Sequence, residues 1–193
     1  MIAPLRLASR TVYRAARNLP DRVLHRRRHW LALDRVAQIG RPRAILVVCH
    51  GNICRSPYLQ AVLQRALPDV SVASAGFIGH DRPVPAASLE VSARRGLDLR
   101  RFRSQLISPE SVRGADLIIA MDAEQARHLR RRFRVNNARI VIAGDLDPQP
   151  SPTRGIPDPW RQSVEAFESS FNRLERCAES LLSALLPRRL TPP

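Results

Sequence analysis

The chain has no lysine among its 193 residues, so all 32 of its basic side chains are arginines, and it has only three cysteines. Three cysteines are too few for the disulfide framework of a small secreted domain. No apolar run approaches the roughly 20 residues that cross a bilayer, and no cleavable apolar leader is visible. These absences argue against secreted and membrane-spanning classes and predict a cytoplasmic protein.

Acidic residues are also scarce, at 17, which leaves a formal net charge of +15. A field of this sign attracts polyanions, anionic lipid surfaces and acidic phosphorylated substrates. The hydrophobic fraction of 44% over this length is sufficient for the core of one soluble domain.

Residues 1–43 carry 11 arginines against two aspartates and form a basic extension. Apolar residues recur there at helical spacing, with arginines on another face, which predicts a basic amphipathic helix; the apolar positions are Leu5, Ala8, Val12, Ala16 and Leu19. Pro20 ends this pattern, and Arg26 to Arg28 precede Trp30. Such a helix can bind an anionic membrane surface at the inner membrane face. Nucleic acid is the less favoured partner, and a solvated or disordered extension is the remaining alternative.

From residue 44 onward, short apolar runs alternate with helical patterns. This alternation predicts an α/β three-layer sandwich, in which a four-stranded parallel sheet has helices on both faces. We assign residues 44–187 to this domain and residues 188–193 to a tail. Strands are predicted over residues 44–48, 70–73, 116–121 and 139–143, and the principal helices over 56–67, 123–133 and 161–186.

The loop between the first strand and the first helix of this domain carries the most informative residues. Its backbone N–H groups point toward a helix N-terminus, which favours an anion such as phosphate. Cys49 begins the loop and Arg55 follows after five residues. A helix N-terminus and a fixed cation stabilise a thiolate, and a guanidinium matches two phosphoryl oxygens. Ser56 can donate to the thiolate, Gly51 permits close approach of an anion, and Asn52 tolerates a left-handed conformation.

Together these residues resemble the active-site loop of the low-molecular-weight protein tyrosine phosphatases of bacterial type. The resemblance extends over about residues 43–186 and is carried by Val48-Cys49-His50-Gly51-Asn52-Ile53-Cys54-Arg55-Ser56-Pro57, Ser74-Ala75-Gly76, residues 115–122 and Ile156-Pro157-Asp158-Pro159-Trp160. It implies hydrolysis of phosphotyrosine through a cysteinyl-phosphate, without a metal or another cofactor. Cys49 would be the nucleophile, Arg55 would stabilise the transition state and Asp158 would be the general acid. Phosphate would bind to residues His50, Gly51, Asn52, Ile53, Cys54 and Ser56.

Substrate class is predicted from the apolar residues beside these groups. Ile53 and Trp160 would form walls for a flat ring, with a contribution from His50. In the low-molecular-weight phosphatases that the chain resembles, enzymes that act on phosphotyrosine have isoleucine at the position of Ile53. The related protein-arginine phosphatases have threonine there. By the same analogy, the substrate would be a tyrosine kinase of polysaccharide export. The alternatives are a protein-arginine phosphatase and a phosphate-binding regulatory module with little turnover.

Two further residues bear on the site. Cys54 is close enough in sequence to trap an oxidised Cys49 as a reversible disulfide, as the resemblance also suggests, or it simply packs the loop.

Phe102 stands where the family usually has a histidine that supports the loop asparagine and serine, so Asn52, Ser56 and Ser74 must be held in another way. We therefore expect lower activity or a shifted pKa of the nucleophilic cysteine.

Overall fold

The computed structural model describes residues 23–185, and its elements alternate as predicted. The strands form one parallel sheet in the order β2-β1-β3-β4. In chain order the elements are α1 (His25–Ile39), β1 (Ala44–Cys49), α2 (Arg55–Ala66), β2 (Ser71–Gly76), α3 (Ala86–Arg94), α4 (Pro109–Gly114), β3 (Leu117–Ala120), α5 (Ala123–Phe133), β4 (Ile140–Ile142) and α6 (Val164–Leu185).

The core lies on both faces of the sheet, because successive residues of each strand point to opposite sides. In β1, Ile45 and Val47 pack with α1, α2 and α6, whereas Leu46 and Val48 pack with α4 and α5. Every position of β1 is therefore apolar, as is expected for a strand in a sheet that is covered on both faces. This arrangement confirms the predicted three-layer α/β fold.

Several element boundaries differ from the predictions, and the differences have physical causes. β2 extends to Gly76 because its parallel pairing with β1 continues until Gly76 lies opposite Cys49. The last helix begins at Val164 rather than at residue 161. Arg161 has a φ of 59°, a left-handed conformation that a right-handed helix cannot include. The strands β3 and β4 are each one residue shorter at both ends than predicted.

Helix α1 shows that part of the basic extension is helical and contacts the sheet layer. Its Ala32 and Val36 are 4% and 0% exposed and belong to the core. Two side chains of α1 reach main-chain carbonyls: His29 Nδ1 donates to Asp145 O at 3.0 Å and Arg35 Nη1 to Ile140 O at 2.8 Å. The helix predicted over residues 5–19 and the tail at 188–193 lie outside the described residues, and the boundary at residue 43 stays a prediction.

No helix within residues 23–185 combines the length and the apolar character needed to cross a bilayer. The long α6 is instead amphipathic, and its apolar stripe faces the core. The residues of this stripe include Phe167, Phe171, Leu174, Cys177 and Leu181.

Candidate active site

Cys49 is the last residue of β1, at the carboxyl edge of the sheet where parallel α/β folds bind ligands. It is 2% exposed. Its Sγ accepts two hydrogen bonds, from the backbone N–H of Asn52 at 3.2 Å and from the Ser56 hydroxyl at 3.0 Å. Both contacts direct hydrogen-bond donors of the loop at the sulfur.

The side-chain amide of Asn52 organises the loop. Asn52 has a φ of 52°, the left-handed conformation that asparagine tolerates. Its Nδ2 donates to the hydroxyls of Ser56 and Ser74, both at 2.8 Å. Ser74 in turn donates to Gln60 Oε1 at 2.6 Å. Because Ser56 also donates to Cys49, the amide fixes the direction of the hydroxyl that reaches the sulfur.

Phe102 does not leave this network incomplete. The remaining acceptor of Asn52, Oδ1, accepts a hydrogen bond from the backbone N–H of Gln105 at 2.7 Å. A main-chain group thus holds the loop asparagine, and no side chain at position 102 is needed for that contact. The lower activity expected from Phe102 stays a prediction, and the contact with Gln105 supports the competing prediction that activity is unaffected.

Arg55 and Asp158, which are 103 residues apart, form an ion pair beside the loop. Arg55 Nη2 lies 2.5 Å from Asp158 Oδ2, and the two side chains are 4% and 40% exposed. Arg55 Nη1 donates to Ile156 O at 2.9 Å. Within the described part of the chain, the buried Nε of Arg55 has no hydrogen-bond partner. That N–H is a donor available to an anion in the loop.

A buried cluster of charges anchors the segment that carries Asp158, here called the acid loop (residues 145–160). Asp147 is 0% exposed and accepts from Arg173 Nε at 2.9 Å and from Arg176 Nε at 2.9 Å. Arg173 also donates to the carbonyls of Thr153 and Gly155, at 2.9 and 2.8 Å. One guanidinium on α6 therefore ties the beginning of the acid loop to its middle, three residues before Asp158.

These groups surround a small cavity of about 50 Å³. It brings together Cys49, part of the loop and the carboxyl group of Asp158 with the two predicted walls. Ile53 is 7% exposed and Trp160 is 45% exposed. The predicted site residues Asn52, Arg55, Ser56 and Ser74 do not line the cavity, and Ser74 contacts the loop through Asn52. The residues that line the cavity are Cys49, His50, Gly51, Ile53, Cys54, Ile78, Arg82, Asp158 and Trp160.

Comparisons with known proteins agree with this geometry. The family model described as low molecular weight phosphotyrosine protein phosphatase matches residues 44–189. The chain belongs to this family. It is 38% identical over 136 residues, 69% of this chain and 90% of the relative, to the probable low molecular weight protein-tyrosine-phosphatase EpsP of Ralstonia nicotianae. Membership makes the protein a protein-tyrosine phosphatase, a phosphoric monoester hydrolase.

Solved structures of a tyrosine phosphatase and an arginine phosphatase share the fold of this protein. The tyrosine phosphatase Wzb of Escherichia coli K30, in complex with sulphate, has a TM-score of 0.70 and 29% identity, covering 75% of this chain and 99% of Wzb. The YwlE arginine phosphatase of Geobacillus stearothermophilus has a TM-score of 0.68 and 26% identity, covering 75% and 93%. The two scores are nearly equal, so the fold alone does not separate phosphotyrosine from phosphoarginine enzymes.

Arg82 is a site residue of this phosphatase that the sequence did not predict. Its Nη2 donates to Gly51 O at 2.7 Å and to Ile78 O at 2.9 Å, and its side chain lines the cavity. It therefore holds the phosphate loop from the outside. No local pattern distinguishes Arg82 from the other 31 arginines, because its partner is 31 positions away in the chain.

Cys54 of the phosphatase is buried at 3% exposure. Burial, followed by the nearby charges of Asp158 and Cys49, raises its pKa to about 12. Its thiol is therefore protonated at neutral pH. Both Cys49 and Cys54 are free in this structure, and the predicted disulfide between them stays a prediction.

Proposed function

We propose that the phosphatase hydrolyses phosphotyrosine in proteins with Cys49 as nucleophile, Arg55 as the phosphate-binding cation and Asp158 as general acid and base. The observation that carries the proposal is that Cys49 and Asp158 line one small cavity, with Arg55 paired to Asp158 beside it. Cys49 Sγ accepts two hydrogen bonds at the floor, and Arg55 links the loop to Asp158 at 2.5 Å.

In the first step, the thiolate attacks phosphorus and the bond to the tyrosine oxygen breaks. Arg55 and the backbone N–H groups of residues 50–54 stabilise the equatorial phosphoryl oxygens in the transition state. The proton of Asp158 passes to the departing phenolate oxygen. The products of this step are a neutral tyrosine and a phosphate group covalently bound to Cys49.

In the second step, water hydrolyses the cysteinyl-phosphate. Asp158, now a carboxylate, accepts a proton from the water while the water oxygen forms a bond to phosphorus. The bond between sulfur and phosphorus breaks, and the electron pair returns to Cys49. The Ser56 hydroxyl, which donates to this sulfur at 3.0 Å, stabilises the thiolate as a leaving group.

The walls of the cavity favour an aromatic substrate. Ile53 and Trp160 present apolar surface beside the nucleophile, which suits a phenyl ring better than a charged guanidinium. Two alternatives remain from the sequence, a protein-arginine phosphatase and a phosphate-binding module with little turnover. A pure binding module needs neither a hydrogen-bonded thiolate nor a carboxyl group held beside the phosphate site. A tyrosine kinase of polysaccharide export as the physiological substrate is a further prediction from the family resemblance.

Phosphate release from a phosphotyrosine peptide and a phosphoarginine peptide, without added metal, tests the proposal. Cys49→Ser should abolish turnover, and Asp158→Ala should lower kcat on the phosphotyrosine peptide by about 100-fold, the usual effect of removing a general acid. Asp69→Ala, at an exposed aspartate paired only with Arg41, is the matched control and should retain full activity. Turnover of the phosphoarginine peptide alone would show that the substrate is phosphoarginine and not phosphotyrosine. No turnover of either peptide would favour the phosphate-binding module.

We also propose that α1 attaches the enzyme to an anionic membrane surface. The helix buries one face through Ala32 and Val36, while Trp30 on its outer side is 63% exposed. Arg26 and Arg27 are exposed on the same side. An exposed tryptophan among arginines is typical of helices that lie at the headgroup level of anionic lipids.

Sedimentation with vesicles tests the membrane proposal. The full chain should bind vesicles containing phosphatidylglycerol and not purely zwitterionic vesicles, and Trp30→Ala with Arg26→Gln and Arg27→Gln should weaken this binding. A control with Arg100→Gln, Arg101→Gln and Arg103→Gln, three exposed arginines far along the chain from α1, removes at least as much charge. An equal loss of vesicle binding in both variants would mean that binding depends on net charge alone. It would contradict a specific role of α1.

A further inference from the structure

A second cavity, of about 290 Å³, lies between helix α1 and helix α5, with β4 and the acid loop at its sides. It shares no lining residue with the cavity at Cys49. One wall comes from α1, which precedes the part of the chain that the family model matches. The site is therefore additional to the catalytic centre. The charged residues of its lining are Arg28, Arg35, Arg127, Arg130, Asp145 and Arg154.

Five arginines face this cavity against a single carboxylate. The carboxylate of Asp145 is itself held by two parallel bonds from Arg154, at 2.9 and 2.7 Å. Its charge is therefore compensated within the wall. The lining therefore carries a net positive charge, with two arginines from α1 and two from α5.

Two of these arginines are already fixed in position. Arg35 Nη1 donates to Ile140 O at 2.8 Å, and Arg130 Nη1 donates to Asn137 Oδ1 at 2.9 Å. A guanidinium has five N–H groups, so one anchoring bond leaves several donors for a ligand. Because the side chains are pre-organised, binding an anion costs less conformational entropy than it would with free surface arginines.

The apolar residues of the lining include Leu31, which is 41% exposed. Ala32, Ala126 and Ile140 also line the cavity but are at most 4% exposed, so Leu31 offers a ligand more apolar surface than they do. An inorganic anion gains nothing from apolar surface, whereas the organic part of a metabolite would bury it. The volume of about 290 Å³ is at the lower end for small-molecule sites.

We propose that this cavity binds a small organic molecule that carries phosphate groups, with the phosphates on the arginines of α1 and α5 and the organic part against Leu31. Guanidinium groups bind phosphate oxygens through paired N–H donors. The site is independent of the proposed reaction at Cys49.

Isothermal titration calorimetry on the full chain tests the proposal, with ADP and inorganic pyrophosphate as probes. Excess benzylphosphonate, a stable analogue of phosphotyrosine, is added to occupy the loop at Cys49. We expect one ADP to bind per chain under these conditions, several-fold more tightly than pyrophosphate. Arg127→Gln with Arg130→Gln should weaken ADP binding by about tenfold or more, since two charged hydrogen-bond partners are lost.

Arg131→Gln with Arg132→Gln is the matched control. It removes the same charge from the same helix, from two exposed residues that do not line the cavity, and should change the affinity less than twofold. An equal loss in both double variants would mean non-specific attraction and overturn the proposal. So would complete displacement by benzylphosphonate, equal affinity for pyrophosphate, or equally tight binding of a hexaglutamate peptide.

Discussion

Replacement of the buried Asp147 by asparagine tests whether the charges on α6 hold the acid loop. The change keeps the size of the side chain but removes its charge, so the guanidinium of Arg173, 8% exposed, loses its counter-ion. The remaining contacts of Arg173 are to neutral groups such as the carbonyls of Thr153 and Gly155. Breaking a buried ion pair from one side costs about 3–5 kcal/mol. We expect about 3 kcal/mol, because the second partner, Arg176, is 30% exposed and can be solvated.

For a chain of this length, 3 kcal/mol corresponds to a fall in Tm of about 6–12 °C, which differential scanning calorimetry measures readily. The exposed pair of Arg41 and Asp69, with side chains 70% and 79% exposed, is the control. Asp69→Asn should leave Tm almost unchanged, since exposed ion pairs contribute little. If Asp147→Asn lowered Tm no more than Asp69→Asn, the proposed anchoring by α6 would be wrong.

The effect of Asp147 should depend on pH in a defined direction. Burial alone would raise its pKa, but the hydrogen bonds and positive charge of Arg176 outweigh burial and hold the pKa below the ordinary 3.8. A carboxyl group with a lowered pKa in the folded state stabilises the protein fully above its unfolded pKa, and this contribution is lost as pH falls toward the folded value. The difference in Tm between the wild type and Asp147→Asn should therefore be constant above about pH 5 and shrink below about pH 4.

The same variant should alter catalysis below its Tm. If the acid loop shifts, proton donation by Asp158 weakens, and kcat on a phosphotyrosine peptide falls. With p-nitrophenyl phosphate, whose leaving group needs little protonation, the fall should be smaller. An equal loss on both substrates would point to a disturbed phosphate loop rather than to the acid loop.

Three further changes have expected outcomes. Gly76→Ala would place a methyl carbon 2.8 Å from the backbone nitrogen of Asn52 and should lower kcat/KM strongly, whereas Gly114→Ala, with nothing within 4 Å, should not. After treatment with hydrogen peroxide, dithiothreitol should restore wild-type activity but not that of Cys54→Ala; equal recovery would contradict the predicted disulfide. Phe102→His should change kcat/KM and its pH profile little, because a backbone N–H already satisfies the Asn52 amide oxygen, and a large gain would show that this contact is insufficient.

The fold class and the loop from Cys49 to Arg55 could be predicted from the sequence, because both depend on local signals. Apolar runs alternating with helical periodicity specify strands and helices separately, and their alternation requires a parallel sheet. The loop from Cys49 to Arg55 is continuous in sequence, so its chemistry was visible as spacing. Its position at the carboxyl end of β1 followed from the strand that precedes it.

How distant residues complete the site depends on tertiary packing and could not be predicted from the sequence. The resemblance suggested Asp158, but its contact with Arg55 spans 103 positions and depends on Asp147 and Arg173 for its anchoring. The support of Asn52 by the main chain of Gln105 could not be predicted either, because a backbone N–H carries no sequence signal. The cavity between α1 and α5 likewise exists because packing brings together arginines that are distributed over more than a hundred residues. Charge composition predicts that anions are attracted, whereas the packing of helices determines where they can bind.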